Sequence, residues 1–275
     1  MIINRVILAL DNNKIYTPFW NIVSPVWKKV FNITPTLVFN GTIEEFEENN
    51  FDMTIGDYII VNKVPEVTES NPDWSVTWSL FWAASKFTDD VCILSGIDQI
   101  PIGDLFFKKL LEVEDDKFVV GFSDAYRNYT KEVLGYFNTN TNTLYPSSHL
   151  VGKGSKFNEI YEINDDWETE IKKVYNSKDK YYLHNNFYPG KLWGLDECYS
   201  SDKITLFENQ NDIVHFDIFW DYWHKNRIDF GGLINVNFDI ERIRSGYYSE
   251  LTCKEYYTNK STIDYIIKNL NPLSL

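Results

Sequence analysis

Cysteine is scarce: Cys92, Cys198 and Cys253 are the three in 275 residues, and they lie far apart with no Cys-x-x-Cys pair. That excludes a disulfide framework and a zinc knuckle, and it makes a reducing compartment the default. Basic charge is also short, with 26 Lys and Arg against 40 Asp and Glu and a formal charge of -14. Such a surface repels phosphate backbones, so a nucleic-acid partner is not expected, although a local basic patch remains compatible with it. Long apolar runs are missing too. The opening "MIINRVILAL" is too short to span a membrane, has no small-residue cleavage site, and runs straight into "DNNK". The expectation is a first core strand in a cytoplasmic protein without a membrane span. The Asn-x-Ser/Thr triplets at Asn40, Asn128 and Asn259 then carry no glycosylation meaning. No Ser- or Gly-rich linker and no internal repeat divides the chain, so residues 1–275 read as one unit.

What is present is apolar and aromatic. Hydrophobic residues make up 44% of the chain, enough for a packed α/β core. Tyr, Phe and Trp reach 17%, and such rings either fill a core or stack on flat ligands. Abundant Asn, Ile, Lys, Tyr and Phe fit an AT-rich coding sequence, viral or bacterial.

"RVILAL" is a continuous apolar run of the kind found in strands covered on both faces. The stretch "WNIVSPVWKKVF" then places Trp20, Val23, Trp27 and Val30 at helical spacing around Pro25, and "TLVFNG" follows as a second strand. Next come an acidic helix at "TIEEFEENN", a strand at "DYIIVN", a loop at "PEVTESNPD", a helix at "WSVTWSLFWAASKF" and a strand at "DVCILSG". Alternating strands and helices predict a mostly parallel central sheet flanked by helices, an α/β fold whose ligand sites lie at the carboxyl ends of strands. Beyond about residue 104, "KFVVGFS" reads as a strand, "NTNTNTLYPSSHLVGKGSKF" as a long polar loop and "DWETEIKKVYNS" as a short helix.

Asp11 and Asp98 both fall at strand ends, where a carboxylate either forms a turn or reaches a divalent cation between phosphates. In "KLWGLDECYS", Asp196 and Glu197 open a helix after Trp193 and Gly194. An acid there either complements the helix dipole or serves as a general base. "HLVGKGSKF" offers Lys153 between two glycines, a diphosphate contact or a surface turn. His215 in "DIVHFDIFWDYWH" sits among apolar residues as a core histidine would. The aromatics that follow it either stack on sugar rings or build a core helix, and Arg227 faces Asp229 as a candidate ion pair.

The order "VILALDNNKIY", a helix, "TLVFNG", then "VTWSLFWAASKFTDDVCILSGIDQIPI" resembles the nucleotide-diphospho-sugar transferases of the GT-A fold, over residues 4 to 105 and more loosely beyond. The resemblance implies that the first strand and its loop hold the nucleoside, with Asp11, Asn12 and Tyr16 as donor-binding residues. It also implies that the fourth strand ends in a DxD-type motif, at Gly96 and Asp98. Here the first acid of that motif is Gly96, which puts a Mn²⁺ or Mg²⁺ requirement in doubt. Lys153 is implied at the phosphates, Asp98 and His215 as metal ligands, and Asp196 and Glu197 as the catalytic acids near the acceptor. Residues 1–105 become the donor half and 106–275 the acceptor half. The implied function is sugar transfer from a nucleoside diphosphate sugar to a carbohydrate or other hydroxyl acceptor. The alternative is a non-catalytic glycan-binding or assembly protein on a degenerate scaffold. A nucleotidyltransferase is disfavoured, because "ALDNNKIY" lacks the Gly-rich basic loop of that chemistry.

Overall fold

A computed structural model of the chain describes residues 1–68, 72–124, 144–181, 194–217, 228–229, 239–244, 250–252 and 256–270. The first half runs β1 (Arg5–Asp11), α1 (Trp20–Val30), β2 (Thr34–Asn40), α2 (Ile43–Glu47), β3 (Asp57–Val61), α3 (Pro65–Thr68), α4 (Pro72–Ser85) and β4 (Val91–Gly96). There follow β5 (Gln99–Pro101), α5 (Leu105–Leu110), β6 (Phe118–Gly121), β7 (Leu150–Lys153), α6 (Gly154–Tyr161), α7 (Trp167–Asn176), α8 (Lys178–Tyr181) and α9 (Leu195–Leu206). The last described elements are β8 (Ile213–Phe216), β9 (Ile228–Asp229), α10 (Ile240–Arg244), β10 (Glu250–Thr252) and α11 (Tyr256–Lys268).

Seven strands form one sheet in the order β3-β2-β1-β4-β7-β6-β8. The pairs β1·β2, β1·β4, β2·β3 and β6·β8 are parallel, while β7 runs antiparallel to both β4 and β6. The predicted α/β class with a mostly parallel sheet is therefore the observed one, and β1 to β4 are the four apolar runs read as strands. A second, smaller sheet has the order β5-β10-β9, and its Ile100 and Leu251 belong to the same apolar cluster as β1 and α1.

The apolar runs are continuous because both faces are covered. Val6, Leu8 and Leu10 of β1 pack with Trp20, Val23 and Trp27 of α1 and with Ile263 and Ile266 of α11. Ile7 and Ala9 point to the other face, toward Trp74, Trp78 and Phe81 of α4, Phe157 of α6 and Leu195 of α9. Alternate side chains of a strand feed opposite layers, so a two-sided sheet needs no polar face. Pro25 sits inside α1 without ending it.

At the amino edge Arg5 of β1 ties together β2, β3 and the residue just before β4. Its Nε donates to Asp90 at 2.8 Å and its Nη1 to Thr36 Oγ1 at 2.6 Å and Asp57 at 2.5 Å, while the guanidinium lies 3.9 Å from the Phe87 ring centroid.

Two expectations are corrected. The segment read as a long polar loop contains β7 and the start of α6. Gly154 is there for packing: a Cβ would lie 2.3 Å from the Phe87 carbonyl oxygen and 2.4 Å from that of Ala84. Within "PEVTESNPD", residues Pro65–Thr68 form one helical turn, α3. Arg227 and the aromatics of "FDIFWDYWH" beyond residue 217 lie outside the described residues, as does Cys253. No helix among the described residues is long and apolar enough to cross a membrane.

Candidate functional site

The chain lays β1, β2 and β3 outward in one direction and then returns to place β4 on the other side of β1. Between β1 and β4 the crossovers therefore leave in opposite directions, and a crevice opens beyond the carboxyl ends of the two strands. There the structure has a cleft of about 590 Å³. Its walls are Ala9 to Asp11 and the loop bearing Asn13, Ile15 and Tyr16, with Trp74, Val76, Thr77 and Leu80 of α4 and the Ser95–Gln99 turn. Ser147, Ser148, Gly194, Asp196 and Glu197 close it from the second half of the chain. The size suits a ligand larger than a single sugar.

Asp11 ends β1, and its Oδ1 accepts from the Asn13 N–H at 3.1 Å, while Asn13 Oδ1 accepts from the Ile15 N–H at 3.0 Å. These short side-chain turns fix the loop that carries Tyr16 to the cleft. Asn12 does not line it. Its Oδ1 accepts from Lys14 Nζ at 2.7 Å and Asn49 Nδ2 at 2.9 Å, so its role is to brace the loop from behind.

The turn after β4 explains Gly96. Its N–H donates to Gln99 Oε1 at 3.0 Å. A Cβ at this position would sit 2.9 Å from that oxygen and 3.1 Å from Asp98 Oδ1. A side chain at position 96 would displace the flexible ends of Gln99 and Asp98, which lie against the turn. Asp98 is half-buried at the cleft wall.

Across the cleft, α9 starts from Gly194 in the left-handed region, φ 80° and ψ 8°. That conformation costs glycine nothing and turns the first helical residues into the cleft. Asp196 is buried, and its Oδ2 accepts from Ser147 Oγ at 2.6 Å. Burial raises its pKa to about 6, against the opposing pull of the Ser147 hydroxyl and of the Asp196 and Glu197 N–H groups. A carboxylate poised there exchanges protons near neutral pH. Glu197 is half-buried beside it on the cleft wall.

Besides Asn12, two predicted residues are not brought to the site. β7 is antiparallel, so Lys153 pairs with Val91 at the start of β4, whereas the cleft lies past its end. Five residues of strand separate them, about 16 Å. His215 sits on β8, exposed, three strands from β4, with its ring centroid 5.4 Å from that of Tyr145. Strand spacing puts it about 14 Å across the sheet from β4, too far to share an ion with Asp98. Among the described residues no three His, Cys, Asp or Glu side chains gather into a metal-binding group. The described donors do not fit a preformed Mn²⁺ or Mg²⁺ cage. The cleft wall holds Asp11, Asp98, Asp196 and Glu197, and no Lys or Arg among its described residues.

Sequence reading missed Trp74 and Thr77, which the topology would have supplied, because a helix entered from the end of a parallel strand starts at the carboxyl edge. It also missed Gln99, Ser147 and Ser148. Nothing in "PSSH" marks them, since their direction depends on β7.

No family model matches the sequence, and no curated protein does. Among solved structures, one similar chain is the galactosyltransferase LgtC in complex with donor and acceptor sugar analogues, at 11% identity and TM-score 0.49, covering 98% of this chain and 97% of that one. Another is mouse xyloside xylosyltransferase 1 in its apo form, at 8% identity and TM-score 0.41, covering 91% and 96%. A third is core-mannan synthase A from Aspergillus fumigatus in a Mn/GDP form, at 9% identity and TM-score 0.39, covering 78% and 73%.

Proposed function

We propose that this chain is a glycosyltransferase that moves a sugar from a nucleoside diphosphate sugar to a hydroxyl acceptor. The observation that carries the reading is the position of Asp196, a buried carboxylate with a pKa of about 6 in the cleft at the switch point between β1 and β4. The resemblance of residues 4 to 105 to GT-A transferases adds to it.

In this reading residues 1–105 bind the donor. The Asp11–Tyr16 loop and Asp98 line the nucleoside and sugar side, and the α4 residues Trp74 and Thr77 form the wall between them. Residues 106–275 supply the acceptor side. The acceptor O–H gives its proton to Asp196 as the oxygen bonds to the anomeric carbon. The bond from that carbon to the diphosphate breaks, and the nucleoside diphosphate leaves with the electron pair. Glu197, one residue on, orients the acceptor hydroxyl. A reducing, cytoplasmic setting belongs to the same proposal, and the free, buried thiols of Cys92 and Cys198 are compatible with it.

The test is calorimetric titration of UDP-, GDP- and TDP-sugars, with and without Mn²⁺, joined to a chromatographic assay for released nucleoside diphosphate. One donor is expected to bind and to be turned over when a hydroxyl acceptor is added. Failure of every nucleotide sugar to bind overturns the reading. The second reading, a glycan-binding protein without catalysis, is favoured by glycine at position 96, where the first acid of the motif would stand. It predicts oligosaccharide binding with no donor turnover.

A further inference from the structure

Ser147 lies at the end of a segment held in place from three directions. The Tyr145 N–H donates to Ser201 Oγ at 2.7 Å, and that hydroxyl donates to the Glu197 carbonyl at 2.6 Å, which staples the segment to α9. Two residues later the His149 N–H donates to the Leu94 carbonyl at 2.7 Å, and the His149 carbonyl accepts from the Gly121 N–H at 3.0 Å, which staples it to β4 and β6. His149 itself is left-handed, φ 63°. A non-glycine residue held there is strained, and the surrounding bonds over-determine it. The result is that Ser147, buried at 5% exposure, meets the Asp196 carboxylate, buried at 4%, at 2.6 Å on the cleft floor.

We infer that Ser147 is a positioning residue for Asp196: its hydroxyl fixes one carboxylate oxygen and favours the ionised form that accepts the acceptor's proton. The inference rests on the proposed function for its consequence in catalysis, but the hydrogen bond has a consequence of its own. A donor to a buried carboxylate stabilises the charged form, so its loss raises the carboxyl pKa. Among the described residues, the other ionisable groups at the cleft wall are Asp11 from β1, Tyr16 from the loop after it, Asp98 from the β4 turn and Glu197 on the same helical turn. Cys198 and Asp202 stand behind on α9 and are buried. Among the described residues, the α4 wall of the cleft contributes Trp74, Val76, Thr77 and Leu80, all uncharged. Every charged neighbour in this set is an acid, so the ionised form is held by Ser147 together with the Asp196 and Glu197 N–H groups.

The experiment is a ¹³C NMR titration of side-chain carboxyls in the full chain without substrate, with the Asp196 signal assigned by its loss in Asp196→Asn. Ser147→Ala is expected to raise the Asp196 midpoint by about one pH unit, the scale of one charge-assisted hydrogen bond. Ser147→Thr keeps the hydroxyl and restores the wild-type midpoint. Where Ser147→Ala does not fold, Ser147→Cys decides, because its weaker donor should give a smaller rise in the same direction. A midpoint that stays within about 0.3 unit, or falls, overturns the inference. The titration needs no turnover, so it decides the role of Ser147 even if no nucleotide sugar is transferred, a failure that would count against the proposed function alone. Where transfer is measured, the Ser147→Ala loss should be larger on the acid side of the pH profile than on the alkaline side, whereas damage to the cleft would lower the rate equally at every pH.

Discussion

At the scale of single residues, the candidate site shows stability and chemistry set against each other. Asp196 carries a pKa of about 6 because burial penalises its charge. An ordinary aspartate titrates near 3.9. The folded state therefore holds the proton more tightly than the unfolded chain. The associated stability is fully present below about pH 3.9 and is lost as pH rises through about 6. At pH 7 the ionised group is a burden, so Asp196→Asn should melt no lower than wild type while sugar transfer falls by roughly 10² to 10⁴, the usual contribution of a general base. Thermal melts and initial rates on the same samples check both halves. A parallel drop in melting temperature and rate would make Asp196 a structural group. Asp98→Asn should likewise spare the melting temperature but weaken donor binding, measured by calorimetry, because the side chain is half-buried at the cleft wall and fills no core. Both acids were legible in the sequence, since a carboxylate just past an apolar strand or just inside a helix after glycine is a local pattern. Ser147 was not, because a serine's partner is set by the fold.

At the scale of elements, legibility followed burial. β1 to β4 could be read because strands covered on both faces must be apolar throughout, and α4 because it is apolar nearly all round. β7 could not. "LVGK" is short, with two residues the local pattern assigns to turns, and its strand character comes from pairing with β4 and β6 on either side. The misreading of Lys153 follows from the same cause, since strand direction is not written in a four-residue stretch. The amino edge offers a test of how the elements hold together. Arg5→Met keeps the stem but leaves Asp57 and Asp90 without their shared cation and Thr36 without its donor. We expect a loss of about 1–3 kcal/mol in urea unfolding, with donor affinity unchanged, because the clamp lies at the edge opposite the cleft. A change in affinity without a change in stability would contradict that separation.

At the scale of the whole molecule, a net charge of -14 surrounds a cleft whose described wall carries acids and no bases. Basic phosphate sites lose affinity as salt rises. Here the long-range term is repulsive, so screening should help: without divalent metal, the affinity for a nucleoside diphosphate sugar is expected to rise between about 0.05 M and 0.3 M NaCl. Calorimetry across that range measures it, and a steep fall would reveal a cationic contribution from outside the described wall.

The antiparallel seat of β7 also bears on how the chain comes off the ribosome. β4 is one of the most apolar strands, and one of its edges pairs with β1, which is already made. Its other edge waits for β7, which ends 57 residues after Gly96. At about 5–20 residues per second, a nascent chain leaves that edge uncovered for roughly 3–11 s. During that interval "VCILSG" is a bare hydrogen-bonding template, the state in which strand edges recruit other chains. The joining of β4 to β7 is thus a timed event in synthesis, and the sheet is complete only later, when β8 pairs with β6.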